Sequence, residues 1–313
     1  MPLAEVTQQN RSDRLGLWFW AILVAFCVWP LSCASGEEQP QASIEILATF
    51  DYPGAIYTTC NGINDRGDVV GSFYNDIDFT FRGFVRFHDG RFSDPIEGPD
   101  NPDYTFATDV DSTSTVCGYT WDISAAVFQG YFLQAGIFKF YNVEGAASTS
   151  IGGINRAGHF AGSFGLFAYG DDGCYINANG QIATFSIPGA MYHRVTAINN
   201  ADTVVGWYVI TPTVYHGFFR NARSGQTTYF DVPQSNSTLV NGINDHRVMV
   251  GWYWDSNYDG HGFLVNPGAS ASFLSYDYAG SNETHFGGIN NHRLICGDYD
   301  DAFGNHGFIA RIR

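Results

Sequence analysis

The stretch Gly242-Ile243-Asn244-Asp245-His246-Arg247-Val248-Met249-Val250-Gly251-Trp252-Tyr253, followed after a polar interval by His261-Gly262-Phe263, decides how this chain is read. Its opening recurs as Gly62-Ile63-Asn64, Asp109-Val110-Asp111, Gly153-Ile154-Asn155, Ala197-Ile198-Asn199 and Gly288-Ile289-Asn290, at spacings of 44 to 47 residues. Seven positions after each Asn or Asp stands a glycine: Gly71, Gly118, Gly162, Gly206, Gly251 and Gly297. Glycine is 36 of 313 residues, so six hits at one offset would arise by chance with a probability on the order of a few in a million. A third landmark follows as Gly83-Phe84, Gly130-Tyr131, Gly173-Cys174, Gly217-Phe218 and Gly307-Phe308, with His216, His261 and His306 ahead of it in the last three copies.

Between the landmarks the residues read as strands. The Ile or Val ends one strand, and the Asn with its polar followers makes a tight turn. A second strand, β-branched and then aromatic, begins at once, as in Val204-Val205-Gly206-Trp207-Tyr208. Its glycine marks a point where a neighbouring backbone or ring comes close. The third strand starts at the Gly-Phe landmark, and a turn such as Asp89-Gly90 leads to a fourth. Four antiparallel strands in about 45 residues is the size of a propeller blade. An aromatic-polar pair closes the copies as Tyr141-Asn142, Phe185-Ser186, Phe230-Asp231 and Tyr276-Asp277, with a degenerate form near Phe92. The sixth copy lacks it, and the missing segment stands ahead of the first as Phe50-Asp51-Tyr52-Pro53-Gly54-Ala55. A ring whose last blade takes its outer strand from the amino terminus leaves no open edges, whereas an open solenoid must cap two. The expectation is an all-β, six-bladed β-propeller over residues 43–313, four antiparallel strands per blade, closed by the N-terminal strand.

Fifteen Lys and Arg against 31 Asp and Glu give a net charge of −16, which repels a phosphate backbone and argues against a nucleic-acid partner. Ahead of the repeats, Arg11 and Arg14 precede an apolar run from Leu15 to Leu31, and the small residues Ser32 to Ser35 follow, in the order of an export signal. The run also approaches the length of a membrane anchor, and Pro30-Leu31-Ser32-Cys33 resembles a lipoprotein processing site that would lipidate Cys33. Under each alternative residues 1–34 are signal or anchor and 35–42 a linker. The repeats are then secreted, periplasmic or surface-anchored, touching a membrane only through the N-terminal segment. Cys60, Cys117, Cys174 and Cys296 show no zinc spacing. Cys117 and Cys296 share one repeat position, which reads as core.

The repeats resemble a family of uncharacterised exported bacterial proteins known by an H-A-F-type repeat, with copies of the form Gly-Ile-Asn-x-x-Gly-x-x-Val-Gly-x-Tyr followed by His-Gly-Phe. The resemblance covers about residues 44–313 and implies export and a propeller-like array, with no established chemistry or catalytic residues. The chain departs from the pattern at Asp109 and Asp111, which replace Gly and Asn, and at Arg82, Gln129 and Asp172, which replace the histidine.

In an up-and-down blade the loops joining strands two to three and four to the next strand one share a face. There Trp121, Asp122, Trp252, Trp254, Asp255, Tyr258, Asp259 and Tyr299 set rings beside carboxylates, as a sugar-binding surface requires. The same pattern suits rings packed between blades and acids solvating loops. Asp255 to Asp259 and the set Asp298, Asp300 and Asp301 offer oxygens to calcium, without the spacing of a known calcium loop. His216, His261 and His306, on third strands, stand too far from the axis to converge on a metal, and each is expected to bond a backbone group of its own blade. The innermost positions Gly62, Gly153, Ala197, Gly242 and Gly288 are small, and Asp109 is the exception. Asp109 is a candidate for catalysis or ligand contact, or else a turn cap. His193 and His285, read as lying in connections to first strands, and Glu283 are candidate acids or bases. No nucleophile elbow, phosphate loop or zinc-protease helix occurs. Two functions follow: an exported non-catalytic binding or scaffold protein, without a cofactor, that presents this face to a glycan or an extracellular protein; or a hydrolase or lyase acting on polysaccharide or a small ester. The second rests on fold analogy.

Overall fold

A computed structural model describes residues 42–99, 104–165, 172–267 and 272–313. The expected signal or anchor, nearly all of the linker and Cys33 lie outside the described residues. Among the described residues every regular element is a strand, and no helix is long and apolar enough to cross a membrane.

The first strand, β1 (Ile44–Phe50), does not pair with its sequence neighbour. The strands after it fall into antiparallel groups, each following one copy of the repeat. β2 (Thr58–Ile63), β3 (Val69–Asn75) and β4 (Thr80–Arg86) form the first, with bridges from Gly83 to Ile96 and Arg86 to Phe92 in place of a fourth strand. The next four are complete: β5 (Tyr104–Val110) to β8 (Ile137–Tyr141), β9 (Ser148–Ile154) to β12 (Ile182–Phe185), β13 (Tyr192–Ile198) to β16 (Thr227–Phe230), and β17 (Ser237–Ile243) to β20 (Ser272–Tyr276). The last group is β21 (Glu283–Ile289), β22 (Leu294–Asp301) and β23 (Gly304–Ile312), and its fourth member is β1, antiparallel to β23.

The invariant glycine has a geometric cause. In every group the first strand bulges against the second, leaving Asn61, Thr108, Gly152, Thr196, Asn241 or Gly287 unpaired. The glycine faces that bulge. A Cβ on Gly71 would stand 1.9 Å from the Thr59 carbonyl oxygen, and one on Gly251 2.0 Å from that of Leu239, so no side chain fits.

The repeated asparagine is held at both ends. Asn199 Oδ1 accepts the N–H groups of Ala201 and Thr203 at 3.0 and 2.9 Å, which caps the turn, while its Nδ2 donates to the carbonyl of Asn244 at 3.0 Å. The same donation runs from Asn64 to Asp111, Asn155 to Asn199, Asn244 to Asn290 and, returning to the first copy, Asn290 to Asn64. Asp111 caps its turn but has no amide hydrogen to pass on. At that step Asp109 Oδ2 accepts the Ile154 N–H at 3.1 Å.

The core lies between neighbouring groups: Val205 of the fourth copy packs with Val240 and Phe263 of the fifth. The rings of the Gly-Phe landmark, Phe84, Tyr131, Phe218, Phe263 and Phe308, are fully buried. Cys60, Cys117, Cys174 and Cys296 are free thiols in the interior. The three landmark histidines correct one expectation. Their Nδ1 atoms meet side chains rather than backbone: Asp231 at 3.0 Å from His216, Asp277 at 2.6 Å from His261 and Asp51 at 2.8 Å from His306. The register explains it, because Gly262 pairs with Tyr276 and so sets His261 opposite the next residue, Asp277.

Candidate functional site

The first strands of the six groups converge, and a cavity lies at each end of them. At the end formed by the asparagine turns the space is about 90 Å3. It is spanned by polar contacts: Arg156 reaches Asp65 at 3.0 Å, and Asn200, Asp245 and Asn291 link side by side. A ligand finds little room there.

The opposite cavity measures about 460 Å3. Two repeat positions build about half of its wall, and the bulge residues of the first strands much of the rest. The residue four before the repeated Ile or Val, on the first strand, contributes Thr59, Phe106, Arg194, Leu239 and His285. The residue after the invariant glycine, on the second strand, contributes Tyr119, Trp207, Trp252 and Asp298. These are the columns in which the copies differ, so a repetitive scaffold carries a wall that is chemically different on each side.

On one side Phe81 stacks on Phe106 at 5.5 Å, Phe106 on Tyr119 at 5.0 Å, and the Arg194 guanidinium lies 4.8 Å over the Tyr119 ring. On the other, Trp252 packs against His285 with centroids 4.3 Å apart. His285 Nδ1 is 3.1 Å from Asp298, and its Nε2 is 3.2 Å from Glu283. Burial opposes protonation of this imidazole, but the hydrogen bonds it donates to Asp298 and Glu283 and their charges win, and its pKa is pushed up to about 9. The Glu283 carboxyl is correspondingly held below its usual range, first by its hydrogen bond to His285. Asp298 also accepts the Cys60 N–H at 3.3 Å and the Asn305 side chain at 3.2 Å. Nearby, burial and then the charges of Asp298, Asp300 and Glu283 raise the Tyr57 hydroxyl to about 12.

The structure brings together Glu283, His285, Asp298 and Trp252, with Asp300 tied to Asp298 through Asn305. Glu283 and His285 are on strand β21, and His193 on β13, rather than in connections. His193 is fully buried, stacked on Phe185 at 5.5 Å, and lies outside the cavity wall. Asp109 belongs to the turn-side cavity. Burial pushes its carboxyl up to about 7, against the N–H groups of Ile154 and Val110 that it accepts. Trp254 packs edge-on against Trp252 at 4.7 Å and is not part of the wall. Trp121 sits between Tyr104 and Phe128, and Tyr299 stacks on Tyr278 at 3.8 Å. Asp122, Asp255 and Asp301 cap their own loops, at Ala125, Asn257 and Phe303, while Tyr258 and Asp259 stand exposed. Among the described residues no group of three or more His, Cys, Asp or Glu side chains is placed to hold a metal ion. Sequence reasoning missed Arg194, Trp207, Tyr119, Phe106, Phe81 and Tyr57.

No protein-family model and no curated protein matches the chain. Solved structures do. A gluconolactonase from Xanthomonas campestris is 10% identical with a TM-score of 0.50, the match covering 87% of this chain and 90% of that one. The fold is of the β-propeller type. A chain of the mitotic checkpoint complex is 11% identical with a TM-score of 0.44, over 93% of this chain and 98% of that one. At 10% identity the gluconolactonase likeness speaks to the fold and not to the chemistry.

Proposed function

We propose that the protein is an exported, closed six-bladed propeller that binds a ligand in the larger of its two axial cavities without transforming it. Six blades are supported by the six strand groups, and closure by the pairing of β1 with β23, the Asp51–His306 contact and the amide donated from Asn290 back to Asn64. Export rests on the order of charged, apolar and small residues in the leader and on the resemblance to the exported repeat family.

The observation that carries binding is the wall itself: Trp207, Trp252, Tyr119 and Phe106 surround a space large enough for a sugar ring or a side chain. Apolar faces of a sugar stack on such rings, and its hydroxyls bond the polar groups between them. A glycan is therefore the preferred ligand, ahead of a protein segment. Binding is preferred to hydrolysis because of His285. Held as an imidazolium by Glu283 and Asp298, it is a proton donor and not a base at neutral pH, and the two carboxylates that could serve as base are engaged in its ion pairs. Thermal melting of the purified full chain with a panel of oligosaccharides tests the reading, since a ligand of the folded state must raise the transition. A saturable shift lost in Trp207→Ala supports it; turnover of any panel member refutes the non-catalytic part.

A further inference from the structure

Among the described residues six of the twelve arginines, Arg66, Arg82, Arg91, Arg156, Arg223 and Arg313, pair with a carboxylate. Arg194 is one of the six without such an ion pair, and of these it is the one in the wall of the larger cavity, although the chain carries 31 Asp and Glu. It sits half-buried on the first strand of its copy and turns toward the cavity, over Tyr119. The third copy places only Ser150 and Gly152 at the matching levels of its first strand, so nothing bulky stands on that side of the guanidinium. A cation so placed, in a protein of net charge −16, is arranged for an anion brought from outside.

We propose that the larger axial cavity takes an acidic sugar, a uronate residue, with its carboxylate on Arg194 and its ring against Trp207 or Trp252. This rests on the reading of that cavity as a binding site. The guanidinium fork matches a carboxylate in a bidentate manner. The indoles supply the stacking surface. The opposite wall sets the orientation: Asp298, with Glu283 beside it, repels a carboxylate and accepts hydroxyl hydrogen bonds, so the acid end of the sugar points to Arg194 and the hydroxyl end to His285. A neutral sugar would leave Arg194 without a counter-charge. An extended peptide finds no free ladder, because the first-strand carbonyls of Ala107, Ile151, Val240 and Phe286 already accept side-chain hydrogen bonds from Asn61, Thr108, Thr196 and Asn241.

Titration calorimetry of the full chain with digalacturonate, with the neutral digalactose and with short peptides bearing a free C-terminal carboxylate decides the matter. The expected result is binding of the acidic disaccharide, with the neutral one weaker by about tenfold or more. Arg194→Gln should erase that preference while melting as the parent does. Arg194→Lys, which keeps the charge and loses the fork, should fall between. Equal binding of both disaccharides, unaffected by Arg194→Gln, overturns the uronate proposal and leaves the binding site standing. Binding of the peptides alone overturns it in favour of a protein ligand. Binding of none of the three overturns the proposal and the glycan reading together. Should Arg194→Gln fail to fold, Arg194→Lys and Trp207→Ala carry the same comparison.

Discussion

Asn290 donates its side-chain amide to the backbone carbonyl of Asn64 at 2.9 Å, joining residues 226 positions apart. The same donation links neighbouring copies everywhere except after the second, where Asp111 stands in place of Asn. Asp111→Asn restores the missing donor opposite the Asn155 carbonyl, keeps an oxygen for the turn and removes a charge beside the half-buried Asp109. It should stabilise the protein by about 1 kcal/mol. Asn244→Asp does the reverse and should cost about 1 to 3 kcal/mol, since it leaves a buried acceptor short and adds a buried charge. Denaturant titrations of the two variants check the pair.

Gly251→Ala should be far more damaging than Gly180→Ala. At Gly251 a Cβ would meet the Leu239 oxygen at 2.0 Å, and the bulge must move; the expected cost is about 3 kcal/mol or more. Gly180 has φ +76 and open space around it, so alanine there carries only the left-handed strain, about 1 to 2 kcal/mol. Melting temperatures of the two variants report the ordering.

The folded pKa of His285 lies near 9 against an ordinary value of 6.5. Because the folded value is the higher one, its stabilising contribution is full below pH 6.5 and is lost as pH rises through 9. The shift corresponds to about 3 kcal/mol. Stability should therefore decline between pH 7 and 10, and His285→Asn should flatten that part of the curve. Asp109 adds a decline at lower pH: its carboxyl is raised from 3.8 to about 7, so its contribution is full below 3.8 and lost as pH rises through 7. Asp109→Asn should remove that second slope, measured by denaturant unfolding across the pH range.

The four thiols of the repeats should resist a water-soluble thiol reagent until the protein unfolds. All are buried, and burial pushes Cys60, Cys117, Cys174 and Cys296 above the usual thiol range, which suppresses the reactive thiolate. Release kinetics in native buffer against denaturant measure the difference.

The architecture was legible because its causes repeat. A bulge that forbids any Cβ forces the same glycine six times, and a turn that needs an oxygen on one side and an amide on the other asks for the same Asn. The site was harder to read for the converse reason. Thr59, Phe106, Ser150, Arg194, Leu239 and His285 occupy one repeat position on the first strands, four residues before the repeated Ile or Val, and range from hydroxyl to apolar to cationic. Periodicity locates what is constant, while a ligand is recognised by what varies. The signal was present as the column of greatest disagreement in a position that the repeat places next to the axis. Aromatics expected in loops, such as Trp121 and Tyr299, instead lie near the ends of strands β6 (Val116–Asp122) and β22 and find packing partners there.

The pairing of β1 with β23 also orders events in time. Asp51 is synthesised 255 residues before His306, its partner. Until the later strand emerges, the earlier one presents its edge to any passing chain, the exposure that leads to aggregation. Assembly must then finish on the contact with the greatest sequence separation, the slowest kind to find. A chain that postpones its final strand pair in this way stays pliable for as long as it is being made, and becomes rigid only when its first and last strands have met.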